Sequence, residues 1–495
     1  MRNTEYPARI SLTLGFLYHF ELGTMAMPTA KSTVEVAGTQ NFNLIILRDA
    51  SSEILLSRRG GSFTLPQITI PIRQRTAKCI SEQVLDAWHL RAICLFQAEG
   101  ENSTQEANEN QYMLLESRDL AWRPPDGFDW ISRDKLHTAL DLAGEARAVQ
   151  DILRRADAYN NGTVPGPFAR FGWIDELLLW AEEPLGFHNL QLTGSFRQFN
   201  CGPSFTLIQL ETNHLPVWFK AVGEPNLREY CITIGLAHDH PRYLPAVIAT
   251  KPEWNGWLML DAGGKRFDDG PKLEHWQDVA ETLARLQLEC LKEPERLLEI
   301  GCKDRRMAKT IEQIDPFLDT VNALMREQPC EPPQRLNQPE LERLGTSLKD
   351  ACRCLEHADI PDSILHGDFN PGNVLVGPNS CFFLDWAEGC IGPPFLTFEH
   401  LIAHLYRLDY GNSHSEQELR RVYARCWADV LSNEQISQAM IVAPLIAVLW
   451  HALGSAVWQE SRFMREGRIA KYLRSMARRM QKESEKIRES GMILA

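Results

Sequence analysis

The sequence predicts an α+β protein in which a smaller β-containing lobe and a larger helical lobe follow an α/β/α domain. Three observations carry that expectation. Residues from about 188 to 262 are strand-rich. From about 272 to the end, apolar residues recur mainly at helical spacing, with one strand–turn–strand interruption at 373–386. A cluster of Asn160, Asn161, Gly162, Pro165, Gly166 and Pro167 separates both stretches from an earlier mixed region. The expected organisation is an extension over 1–35, a domain over 36–157, a linker at 158–168, a small lobe over 169–262 and a helical lobe over 263–495. A β lobe followed by a helical lobe suggests a cleft between them for a ligand.

The elements follow in order. Phe42 to Leu47 reads as a strand, Asp49 to Ser52 as a turn and Ile54 to Leu56 as the partner strand; Phe63 to Ile72 is again strand-like. Ala77, Ile80, Val84, Leu85 and Trp88 lie at helical spacing and predict a helix over Thr76 to Leu90. Strands are expected at Ala92 to Phe96 and Tyr112 to Leu115, a solvated loop at Glu99 to Asn110, and a helix beginning in Trp130 to Leu140. Met440 to Trp458 carries no charge, but Pro444, His451, Gly454 and Ser455 interrupt it, so a buried helix is expected rather than a membrane span. Ile10 to Phe20 is too short and polar for a good signal peptide and reads as a dispensable leader, or as sequence ahead of a start at Met25 or Met27.

Composition narrows the function. At 495 residues and 44% hydrophobic, the chain has the length of roughly three globular units. Lys and Arg total 52 against 65 Asp and Glu, a net charge of −13, which does not support a nucleic-acid partner gripped by a broad basic surface. Ten Lys or Arg against four Glu between Arg462 and Ser490 read as the solvated face of a helix. Twelve cysteines without a C-x-x-C pair suit reduced thiols in a cytoplasmic protein, not a disulfide framework or a zinc site. Neither a nucleic acid nor a membrane is expected as partner.

The chemistry concentrates in Ile364-Leu365-His366-Gly367-Asp368-Phe369-Asn370-Pro371-Gly372-Asn373-Val374-Leu375-Val376 and in Cys381-Phe382-Phe383-Leu384-Asp385-Trp386. Val374 to Val376 and Phe382 to Leu384 flank a Gly-Pro-Asn-Ser turn and predict a hairpin. Such a hairpin brings Asn373, entering one strand, near Asp385, leaving the other. An amide oxygen and a carboxylate side by side suit Mg²⁺, a hard ion that takes oxygen ligands and keeps waters and substrate phosphates. Asp368, five residues before Asn373, can present its carboxylate to a hydroxyl, the Asp-x4-Asn arrangement of kinase-type phosphoryl transfer. A lone Asp-x4-Asn would be a turn in most sequences. The hairpin and the second Asp beside it argue for chemistry.

These residues, with Gly392-Pro393-Pro394-Phe395, resemble the aminoglycoside phosphotransferase and choline kinase family, which has a protein-kinase-like fold; the resemblance covers about residues 165 to 495. It implies ATP-dependent phosphorylation of a small-molecule hydroxyl, with Asp368 as catalytic base, His366 bracing its loop, and Asn373 and Asp385 holding Mg²⁺. Lys220, within the apolar strand Val217 to Val222, would pair with Glu229 and hold the ATP phosphates; Glu224 is a competing partner, and an edge-strand lysine reaching water is the structural alternative. Trp257 to Asp261 resembles the hinge whose backbone, at Leu260 and Asp261, would bind adenine. No G-x-G-x-x-G stands at the expected phosphate hairpin, Thr193–Gln198 and Cys201–Ser204. A nucleotide-binding regulator without turnover is the alternative.

Residues 36–157 resemble a Nudix domain in outline. The stretch matching the Nudix helix, Glu82 to Leu90, reads Gln83, Asp86-Ala87 and His89 where two glutamate positions and a glycine are expected. Too few carboxylates remain for a metal site, so hydrolase activity is not expected there.

Overall fold

The computed structural model describes residues 38–48, 53–59, 62–72, 74–99, 111–140, 143–377, 380–454, 456–459 and 467–491. The leader at Ile10 to Phe20 lies outside the described residues, as does almost all of the expected 99–110 loop. The chain forms two compact units, one comprising residues up to Leu227 together with Val247–Asp261, the other Arg228–Ala246 with Ala262–Ala495.

The first unit opens with seven strands: β1 (Thr39–Arg48), β2 (Glu53–Arg59), β3 (Ser62–Thr64), β4 (Gln67–Pro71), β5 (Ala92–Glu99), β6 (Gln111–Ser117) and β7 (Phe128–Ser132), with helix α1 (Thr76–Trp88) between β4 and β5. Helices α2 (Leu136–Ala139), α3 (Ala143–Asn160) and α4 (Trp173–Phe187) follow. The sheet order is β3-β2-β1-β6-β5, with β4 also on β1 and β7 also on β2; β1 and β6 run parallel. Side chains alternate across a strand, so β1 divides its apolar run between two faces. Phe42, Leu44 and Ile46 pack with Ile80 and Val84 of α1, whereas Ile45 and Leu47 pack with Val149 and Leu153 of α3. Burial on both faces explains an almost unbroken apolar strand. Two expectations need correcting. Phe63 to Ile72 is broken at Leu65-Pro66, because proline has no N–H for the ladder; the Pro66 carbonyl instead accepts from Leu44 N at 2.8 Å. Trp130 to Ser132 is not helical but pairs as β7 with Leu55, Ile54 and Glu53.

A second, antiparallel sheet follows in the same unit: β8 (Leu192–Gly202), β9 (Phe205–Thr212), β10 (Val217–Ala221), β11 (Val247–Lys251) and β12 (Gly256–Leu260), ordered β11-β12-β10-β9-β8. One apolar cluster runs from Ile45 of the first sheet through Phe168 and Trp173 to Phe219 and Leu258 of the second. The stretch expected as a linker lies within this arrangement: α3 continues to Asn160, and Phe168 is buried edge-on to Trp173 and Trp254, at 5.0 and 5.3 Å between ring centres. Gln198 of β8 joins the sheets by a reciprocal pair, accepting from Cys94 N and donating to Cys94 O, both at 2.8 Å.

The second unit is mainly helical, with α5 (Arg228–Asp239), α6 (Leu273–Cys290), α7 (Pro294–Glu299), α8 (Met307–Arg326) and α9 (Gln338–His357) before the catalytic segment. After it come α10 (Phe395–Arg407), α11 (Ser413–Trp427), α12 (Asn433–Gly454) and α13 (Gly467–Glu489). Short strands β13 (Lys265–Arg266), β14 (Lys303–Asp304), β15 (Ser363–Leu365), β16 (Val374–Val376), β17 (Cys381–Phe383) and β18 (Cys390–Gly392) form two three-stranded sheets, β13-β16-β17 and β14-β18-β15. Among the described residues α12 alone is long and apolar enough to cross a membrane, yet two-thirds of its most apolar window (67%) is buried in the fold, including Val442, Leu445 and Leu449. The basic helix α13 is less solvated than its composition suggests. Arg474 is buried and donates to Leu324 O at 3.2 Å, and Arg478 donates to Gln334 O at 2.7 Å. Arg474 thereby satisfies a carbonyl in the last turn of α8, where intrahelical donors run out.

Gln198→Ala should leave both backbone groups of Cys94 buried and unpaired on that side, lowering stability by about 2–4 kcal/mol. Denaturant unfolding measures this, and a loss below measurement error would show that the two sheets do not depend on the link.

Candidate active site

Strand β15 is fully buried and pairs antiparallel with β18, so the chain leaves Leu365 on a fixed course. His366 follows, then Gly367 at φ +63°, a conformation that glycine adopts without penalty. A Cβ at Gly367 would stand 2.3 Å from the Glu388 carbonyl oxygen, so the close approach also demands glycine. The turn tightens as Asp368 N donates to His366 O at 2.5 Å and Asn370 N to Asp368 O at 2.9 Å. The Asn370 side chain then caps the single helical turn Pro371–Asn373, its Oδ1 accepting from Gly372 N at 2.9 Å.

The expected hairpin is present. Val374 pairs with Phe383, Leu375 with Phe382 and Val376 with Cys381, and Gly377 N donates to Ser380 O at 2.8 Å across its end. One step beyond the ladder, Leu384 N donates to Asn373 O at 2.8 Å. Asn373 and Asp385 are thus drawn to the same end of the hairpin. The Asn373 side chain turns back to the loop, its Nδ2 donating to Asp368 O at 3.0 Å and to Asp368 Oδ2 at 3.2 Å. With its nitrogen committed to Asp368, the amide keeps Oδ1 as an oxygen donor. Asp368 and Asn373 are half-buried and Asp385 is exposed. Asp385 has φ +68°, a strained backbone for a non-glycine residue, and such strain clusters at functional sites.

His366 is buried and connects the Asp368 loop to the Asp385 segment. Its backbone N donates to Thr397 Oγ1 at 3.2 Å, and its Nε2 lies 2.7 Å from the Leu384 carbonyl oxygen. The ring packs 4.4 Å from Trp386 and 5.4 Å from Phe369, centre to centre. Burial drives its pKa below the ordinary histidine value, against the opposing pull of Asp368. The ring is therefore neutral at physiological pH, with Nε2–H donating to Leu384 O. Thr397 carries no local sequence signal for this role, whereas Asn370 before Pro-Gly matches a familiar capping pattern.

The remaining expected site residues lie as follows. Lys220 is on β10, the central strand of the second sheet, hydrogen-bonded on both sides; this excludes the edge-strand alternative. It is half-buried, its Nζ 5.8 Å from the Trp257 ring centre. Glu229, in the first turn of α5, is buried, whereas Glu224 is exposed. Lys220 belongs to the first unit and Glu229 to the second. Leu260 ends β12 opposite Val217, and the Asp261 carboxylate accepts from Trp218 Nε1 at 2.7 Å. The expected phosphate hairpin is β8–β9, closed tightly with Gly202 opposite Phe205; Ser204 at its tip sits so close to Gly223 that a Cβ there would meet Ser204 Oγ at 2.1 Å. Among the described residues no three His, Cys, Asp or Glu side chains gather into a metal site, α1 included. Glu82 of α1 instead lies 4.0 Å from Lys78 and 3.5 Å from Arg197.

The loop and hairpin have the arrangement that the sequence predicts for kinase-type phosphoryl transfer. More particularly, residues 242–414 match the model of the phosphotransferase enzyme family (APH), which bears out the family resemblance seen in the catalytic segment. Among solved structures, the chain is similar to a macrolide 2′-phosphotransferase from Brachybacterium faecium, at 15% identity over 60% of this chain and 97% of that one, TM-score 0.40. It is also similar to a choline kinase from Cryptosporidium parvum, at 12% identity over 64% and 97%, TM-score 0.44, and to an ethanolamine kinase from Plasmodium vivax, at 12% over 67% and 93%, TM-score 0.41. Likenesses this distant assign no substrate. No curated protein matches the sequence.

Two outcomes follow from this geometry. Gly367→Ala should lose about 2–4 kcal/mol of stability through strained φ and overlap with Glu388, a loss that thermal melting would read. Acid should also weaken the fold. His366, His400 and His451 are each held below the ordinary histidine pKa by burial, His451 at about 3. The unfolded chain therefore binds more protons once pH falls below about 6.5, and stability that is complete above that value is lost by about 1.4 kcal/mol per pH unit for each histidine. Urea unfolding at pH 7.5 and 5.5 checks this, and equal stabilities would contradict neutral burial.

Proposed function

We propose that the protein is an ATP-dependent O-phosphotransferase acting on a small-molecule hydroxyl, with Asp368 as catalytic base. The observation that carries this reading is the 3.2 Å hydrogen bond from Asn373 Nδ2 to Asp368 Oδ2, on a loop tied to the Asp385 segment by Leu384 N–H···O=C Asn373. Asn373 orients the Asp368 carboxylate, and that carboxylate takes the proton as the acceptor oxygen bonds to the γ-phosphorus and the bond to the ADP bridging oxygen breaks. His366 fixes both segments from behind. Positioning and electrostatics supply most of such catalysis.

Asn373 Oδ1 and Asp385 are hard oxygen donors, one beside the ladder and one exposed, and both fit Mg²⁺. When bound, the ion would neutralise the ATP phosphates. Lys220 would hold those phosphates, and the Leu260–Asp261 backbone would receive adenine. We assign residues 36–157 as a Nudix-like domain without hydrolase activity, 158–168 as its connection, 169–262 as the small lobe and 263–495 as the helical lobe, in a cytoplasmic enzyme. The tight β8–β9 turn, without a glycine-rich flap, favours a second reading: a nucleotide-binding regulator that does not turn over.

Asp368→Ala should lower kcat by about 10²–10⁴ while ATP·Mg²⁺ binding stays nearly unchanged. Product formation from a cell extract supplied with ATP, followed by mass spectrometry, measures this. Unchanged turnover in the variant would defeat the assignment of Asp368. Binding of ATP without transfer by the unsubstituted protein would establish the regulator.

A further inference from the structure

A group of cationic and imidazole side chains stands beside the catalytic loop and is not used by the transfer outlined above. His400, His404 and Arg407 recur along one face of α10, four and three residues apart. His404 Nε2 lies 3.2 Å from His400 Nε2, and Arg407 Nη1 lies 3.3 Å from His404 Nε2. From α12, the His451 ring stands 4.1 Å from the His400 ring, centre to centre. Tyr472 and Arg479 of α13 complete the group, with Arg407 and Arg479 both acting electrostatically on Tyr472 and on His451. His400 and His404 are buried, Arg407 is half-buried and Arg479 is exposed, so the group runs from the interior to the surface.

Charge and hydrogen bonding are both incomplete here. Burial draws the Arg407 guanidinium below its ordinary range, Arg479 adds to that pull, and the carboxylate opposing it is Asp368. A half-buried guanidinium that meets Arg479 and, among the described residues, a carboxylate already engaged by Asn373 leaves an excess of positive charge in a partly buried place. Such an excess is costly until an anion enters. His400 Nδ1 and His451 Nε2 are buried without a hydrogen-bond partner, and imidazole nitrogens can complete the shell of an oxyanion.

The geometry points to an anionic acceptor: a hydroxylated small molecule bearing a carboxylate or phosphate, gripped by Arg407 and Arg479 with His400 and His451 nearby, and presenting its hydroxyl to Asp368. This inference rests on the phosphotransferase reading and narrows its substrate class. Amino sugars and quaternary amines would meet like charge at this place.

The test uses the full chain in two arms. In the first, a cell extract is divided by ion exchange into anionic and cationic metabolites, each incubated with protein and ATP·Mg²⁺, and new phosphorylated products are sought by mass. Product from the anionic fraction is expected, and product from the cationic fraction alone would overturn the inference. In the second, calorimetry without nucleotide follows binding of inorganic phosphate and of citrate, which separates phosphate from carboxylate recognition. Saturable binding is expected, weakened about ten- to hundredfold in Arg479→Gln, an exposed position that should fold, and less in Arg407→Lys. No saturable binding, or binding indifferent to both substitutions, would overturn the anion site. Arginine-dependent anion binding without transfer from any fraction would instead overturn the phosphotransferase reading and leave the anion site standing.

Discussion

The active segment depends on one constraint, the docking of the Leu384 peptide between two partners. Its N–H closes the hairpin against Asn373, and its carbonyl receives the buried His366 ring at 2.7 Å. The two contacts act in opposite directions along the chain. One registers the Asp385 segment on Asn373, and the other locks that segment to the loop bearing Asp368. Because His366 is kept neutral by its surroundings, the lock does not switch within the physiological range. Rigidity here matters more than strength, since phosphoryl transfer relies on placement to within fractions of an ångström.

The catalytic half was largely legible in the sequence because its determinants are local. A hairpin with a four-residue turn, a glycine forced by backbone approach and an Asx cap before Pro-Gly are short-range features, and each leaves its mark within a few positions. The helix at Thr76–Trp88 and the first strands were legible for the same reason. Long-range pairing was not. Trp130 to Ser132 looks helical beside Leu136 and Leu140, but its partner strand begins at Glu53, and tertiary pairing overrides the local pattern. Thr397 and Arg407 are likewise invisible as neighbours of the loop until α10 is packed.

Polar groups in this protein often serve where composition suggests idleness. Gln198 acts as a strand edge in miniature, presenting an acceptor and a donor to one peptide of β5. Arg474 finishes a helix that is not its own. In each case a side chain satisfies main-chain groups that regular secondary structure cannot reach.

The apolar cluster running from Ile45 to Leu258 carries a consequence for descent as well as for packing. A sheet whose interior is held in common with its neighbour is retained for packing alone, because losing it would strip the neighbour of its lining. Inheritance of the amino-terminal half would then follow the fit of its oily faces, with its rim left to drift.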